Sequence, residues 1–101
     1  MSPFGCYCAS LGALCNDCLH EHFMWFAGIA YGYGEDWARA IENVVPVDRP
    51  WPMTAKMRAV AVRKASRLTS DARLLDMLVE QVIKGAARHW NAALAAKRDA
   101  G

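Results

Sequence analysis

The segment VVPVDRPWP, residues 44–52, places prolines at 46, 50 and 52. Each proline fixes φ and lacks a backbone N–H, so no helix crosses this stretch and an extended, polyproline-like loop is expected. The break divides the chain into a front half and a back half, each with its own helix signals. A chain of 101 residues has room for one core only, so both halves belong to a single domain. Ala, Leu, Met and Arg dominate the back half and strand formers are sparse. The expected fold class is therefore all-α, a small bundle of about four helices with an N-terminal cysteine-rich hook. A hydrophobic share of 54% with 22% charge excludes a disordered chain, which needs the opposite balance.

In the front half, Asn16 or Asp17 can cap a helix that starts near Cys18 and runs to Tyr31. That stretch is apolar nearly all round after His22, which predicts a central position in the core. Gly32 and Gly34 predict its end, and the acids Glu35 and Asp36 suit the first turn of a second helix, 35–45. In the back half, Thr54 is an N-cap candidate for a third helix, 55–68. Thr69, Ser70 and Asp71 end it and cap a fourth, 71–97, in which Gly85 is the weak point. Leu75, Leu78, Val79, Val82, Ala86, Trp90 and Ala93 fall on one side of that last helix. The domain thus reads as a hook (1–18), two apolar helices (19–45), the proline and tryptophan loop (46–53) and two amphipathic helices (54–98).

All four cysteines lie in CYCASLGALCNDC, residues 6–18. The spacing is C-x-C-x6-C-x2-C. Residues i and i+2 of an extended segment point to one side, so Cys6 and Cys8 can grip one ion. Cys15 and Cys18 have the spacing of a zinc knuckle, and four thiolates in a tetrahedron suit Zn2+. A site of this kind contributes folding energy to a loop with little core of its own. One turn beyond Cys18, His22 is the alternative ligand. An alternative chemistry for Cys15-x-x-Cys18 is thiol redox, although no strand–helix frame of the thioredoxin kind surrounds it. A metal enzyme would need an open coordination position with Glu21 as base. His20-Glu21-His22 lacks the i,i+4 histidine pair of H-E-x-x-H. No nucleophile elbow or phosphate-cradling glycine loop is present, and a non-enzymatic role is expected.

In TAKMRAVAVRKASRL, residues 54–68, Lys56, Arg63, Lys64 and Arg67 form a stripe opposite Met57, Ala61, Ala65 and Leu68. A basic stripe can track a phosphate backbone, which makes a DNA-binding regulator using helix 55–68 one alternative function. The bland alternative is a solvated face. No aromatic residue interleaves the stripe, so stacking on single-stranded bases is not expected. Of the four tryptophans, Trp25 and Trp37 are expected in the core. Trp51, between Pro50 and Pro52, either anchors a partner as an interface hot spot or folds back as a lid on the helices.

Charge is split along the chain. Residues 1–48 hold one base, Arg39, against six acids, whereas residues 49–101 hold eleven bases against four acids. Two chemically different faces follow, along with the option of head-to-tail homo-oligomers. The longest apolar run, Phe23 to Gly34, is shorter than the roughly 20 residues a membrane span needs, and no basic residue precedes an apolar run as in a secretory signal. A cytoplasmic location is the expectation, and clustered thiols in that reducing compartment favour metal over disulfides. The function these features favour is a small zinc-stabilised helical binding module, an adaptor, regulator or inhibitor acting through protein–protein contacts.

Overall fold

The computed structural model describes residues 15–100 of the chain. It is all-helical among the described residues: α1 spans Asn16–Glu42, α2 spans Ala55–Ala65 and α3 spans Ala72–Ala100. No strand occurs among them, and no helix is long and apolar enough to cross a membrane. Cys6 and Cys8 lie outside the described residues.

The expected count of four helices becomes three, because α1 runs without interruption through Gly32 and Gly34. The reason is tertiary. Gly34 is pressed against α3: a Cβ there would collide with the Val82 carbonyl oxygen and would stand 2.8 Å from the Ala86 nitrogen. Gly85 of α3 answers it, and a Cβ there would collide with the Tyr31 carbonyl and reach 2.9 Å from its carbon. Two backbones meet where a side chain would hold them apart. The contact offsets the poor helix propensity of glycine. Gly34, which signals a helix end in the sequence, is part of the seam of a helix pair in the fold.

α1 and α3 run side by side in the same direction. Gly34 lies against Val82 and Ala86, and further along both helices Glu42 meets His89. α2 returns alongside α3, antiparallel to it, with Arg58 bonded to Glu80 at 3.1 Å. The core is built on the α3 stripe. Leu74, Leu78, Val79, Val82, Ala86, Trp90 and Leu94 are buried, and Leu75 and Ala93 pack against them. Facing them are Ala30, Trp37 and Ala38 of α1 and Ala61 and Ala65 of α2. Small residues at most of the facing positions allow close approach of the helix axes.

The caps follow the sequence. Thr54 has extended backbone and its hydroxyl accepts from the Met57 N–H at 3.2 Å. Asp71 accepts from the Leu74 N–H at 3.0 Å. Each satisfies a first-turn N–H that has no partner inside the helix. α2 ends at Ala65 rather than at Leu68. Ser66 Oγ donates to the Arg63 carbonyl at 2.7 Å, and the Leu68 N–H turns back to the Ala65 carbonyl, so the last residues close a tight turn. α1 begins at Asn16 with Cys15 in the N-cap position, one or two residues ahead of the expected cap.

The expectation of a helix buried all round fails for α1. Met24 and Trp25 are 66% and 69% exposed. Trp25 is therefore no core residue, while Trp37 is. With only one partner helix along its length, α1 buries one side. An apolar composition does not guarantee burial when the chain is too short to supply a second layer.

Candidate binding groove

The proline and tryptophan loop is bolted to α3. The N–H groups of Val44 and Val45 both return to the Ile41 carbonyl and close α1. Val47 is buried, and the chain then passes over α3 at Trp51. The Trp51 N–H donates to Asn91 Oδ1 at 3.1 Å, and Trp90 Nε1 donates to the Arg49 carbonyl at 2.7 Å. Because the prolines restrict the segment's own backbone, these two bonds fix it with little further ordering cost.

Three indoles meet under this loop. Trp51 packs edge-to-face on Trp37, with centroids 5.1 Å apart, and on Trp90 at 5.5 Å. Such offset pairs are the favoured aromatic arrangement. Lys64 Nζ lies 5.9 Å from the Trp37 ring centroid, within reach of a cation–π contact. Trp51 thus folds back over the helices. Its Nε1 is buried and has no hydrogen-bond partner among the described residues. His89 Nε2 and Glu42 Oε1, 2.9 Å apart and partly buried, tie the end of α1 to α3 beside the cluster.

The loop stands off the bundle far enough to leave an apolar groove of about 490 Å3. Trp51, Trp90, Ile41 and Met57 line its inner part, and Val44, Val45, Pro46 and Pro52 surround it, with Asp48 and Arg49 at the edge. Val44 is 80% exposed, and Val45 and Met53 are also exposed. Asp48 and Arg49 pair with each other at 3.2 Å, so the groove edge carries no net charge. Its chemistry is shape and apolar contact. Of the groove residues only Trp51 stands out in the sequence; Val44 and Val45, which form the lip, carry no signal beyond preceding a proline.

The basic stripe separates into two groups. Lys64 is turned to Trp37, and Arg58 to Glu80. Lys56, Arg63 and Arg67 are exposed and make no ion pair among the described residues. They lie on a different face from the groove.

Of the candidate metal ligands, Cys15 is half-buried at the N-cap of α1 and Cys18 is buried in its first turn. His22 follows one turn later, with its ring edge-to-face to Phe26 at 6.1 Å. Among the described residues no three of Cys, His, Asp and Glu converge on one point. Cys15 and Cys18 bring two sulfurs to one helix start, and the other two proposed ligands lie outside the described residues. Two thiols in this spacing suit half of a four-thiolate zinc site.

No family model matches the chain, and neither a curated protein nor a solved structure shows significant similarity to it.

Proposed function

We propose that the protein is a small helical binding module that acts through protein–protein contacts, with the tryptophan groove as its docking site. The observation that carries this reading is the exposed lip of Val44 and Val45 on an apolar groove. Anchoring side chains of a partner bind in desolvated pockets of this kind, ringed by contacts that exclude water. The loop that forms the groove is held by its prolines and by two hydrogen bonds to α3, and a pre-ordered site loses less entropy on binding. In this reading zinc bound by Cys6, Cys8, Cys15 and Cys18, or by His22 in place of one of them, stiffens the front of α1, and a cytoplasmic location keeps those thiols reduced.

A second reading rests on Lys56, Arg63 and Arg67. Three exposed cations without carboxylate partners among the described residues suit a phosphate backbone, as in a DNA-binding regulator. One experiment separates the two. The chain, Val44→Asp/Val45→Asp and Arg63→Ala/Arg67→Ala are used as parallel baits on extract of the source cells, at low and raised salt. The groove reading expects a protein partner that survives raised salt and is lost from the valine variant alone. Nucleic acid lost at raised salt and from the arginine variant favours the second reading. A protein partner held equally by the valine variant and the parent refutes the groove.

A further inference from the structure

Cys18 departs from the one-sided burial of α1. It is 3% exposed, whereas Trp25 and Ile29 are 69% and 46% exposed. At about 100° per residue, Cys18 lies within roughly 20° of both around the α1 axis and roughly 160° from Gly34. α3 is on the Gly34 side, and α2 packs along α3 rather than along α1. The cover over Cys18 therefore comes from the outer side of the helix. The chain that enters α1 at this end is residues 1–14, which lie outside the described residues and join the helix at its N-cap, Cys15.

We propose that residues 1–14 fold back along the outer side of α1 and dock on the line of Cys18, Trp25 and Ile29. The composition of the segment suits that surface. MSPFGCYCASLGAL has no charged residue, and Met1, Phe4, Tyr7, Leu11 and Leu14 supply large apolar or aromatic side chains. Such side chains gain by leaving water for another apolar surface. The length suits it as well. Trp25 stands roughly 15 Å along the axis from Cys15, and Ile29 roughly 21 Å. Tyr7 reaches about 26 Å back from Cys15 in extended chain and Phe4 about 36 Å, which leaves slack for the turn.

Charge favours this occupant. Glu21 lies roughly 60° to one side of Cys18, and Asp36 falls on the same line beyond Ile29. A second copy of α1 would add its own acids to this face, whereas residues 1–14 bring none. Docking within one chain also avoids the entropy lost when two molecules associate. The segment gives α1 a second layer on the side that α2 and α3 leave open. The groove is at the opposite end of α1, where Ile41 lines it, so the inference is independent of the groove. It is independent of bound zinc too, although an ion on Cys18 would sit on this same side.

Photo-crosslinking of the full chain, reduced and with metal chelated, tests the docking. The photoreactive residue p-benzoylphenylalanine in place of Trp25 should link to residues 1–14 within the monomer, as read by peptide mass spectrometry. The same group in place of Val62, on the exposed side of α2, should not. Alkylation of Cys18, followed on its own peptide, gives a second readout. Phe4→Asp/Tyr7→Asp should raise its rate at least about tenfold, with far-UV helicity unchanged. Should that variant lose helicity, crosslinking from position 25 decides the matter. Position 25 linking only to another copy, or making no link to residues 1–14, overturns the docking. So does a Cys18 rate indifferent to Phe4→Asp/Tyr7→Asp in a folded chain. Chelation throughout separates this result from the zinc reading, and Val44→Asp/Val45→Asp, which should crosslink like the parent, separates it from the groove.

Discussion

Gly32 and Gly34 of α1 predict opposite responses to one methyl group. At Gly32 an added Cβ meets nothing within 4 Å, so Gly32→Ala gains the helix propensity of alanine, about 0.5–1 kcal/mol. At Gly34 the same methyl collides with the Val82 carbonyl and stands 2.8 Å from two further backbone atoms. A backbone obstacle cannot rotate aside as a side chain can, so α1 and α3 must separate. Overpacking of this kind costs about 1–3 kcal/mol, against which the same propensity gain is set. Net destabilisation by Gly34→Ala is about 0.5–2 kcal/mol, and the two variants should differ by about 1–3 kcal/mol. Urea unfolding followed by circular dichroism measures both. In a domain this size a difference of about 1 kcal/mol corresponds to about 4–8 °C in Tm. Gly34→Ala as stable as the parent, or Gly32→Ala less stable than it, would refute the assignment of Gly34 to the seam and Gly32 to open surface.

Thr54→Ala removes the acceptor for the Met57 N–H and should cost about 1 kcal/mol in the same assay, and Asp71→Ala a similar amount. Trp90→Phe deletes the donor to the Arg49 carbonyl, whereas Trp51→Phe deletes a buried N–H that has no partner among the described residues. Both lose indole volume, so Trp90→Phe should be the costlier by about 1–2 kcal/mol, and equal costs would argue against the Arg49 bond. Native mass spectrometry should find one zinc per chain, its removal by chelation should lower Tm, and Cys8→Ser should reduce the bound fraction; a metal-free chain with unchanged Tm would end the zinc reading.

The parts of the fold legible in the sequence are those set by local rules. The α3 stripe, the caps at Thr54 and Asp71 and the break at the prolines depend on neighbours within a turn or two, and each is found where the pattern places it. What was hidden depends on distant partners. Gly32 and Gly34 carry the same local signal, yet neither ends the helix, because α3 offers Gly85 and the Val82 backbone opposite Gly34. Trp25 and Trp37 carry the same hydrophobicity, yet one is exposed and the other buried. The face of α1 each occupies decides between them, and that face is set by the glycine seam. The groove was legible only through Trp51, because a concavity has no sequence pattern.

The same shortage of mass that exposes α1 also explains the character of the tryptophan end. With one short helix among the three, and with alanine at most of the positions that face α3, little side-chain volume is available where the loop crosses α3. Trp51 of the loop answers by packing edge-to-face on Trp37 of α1 and Trp90 of α3, with hydrogen bonds to Asn91 and Arg49 pinning the cluster. Large rigid rings that meet edge-on leave angular spaces between them. The groove is such a space, bounded by Trp51 and Trp90 on one side and by the valine lip on the other. Its rigidity and its apolar lining therefore have one origin, and a change that softens the ring cluster should weaken binding in the groove even where it touches no residue of the lip.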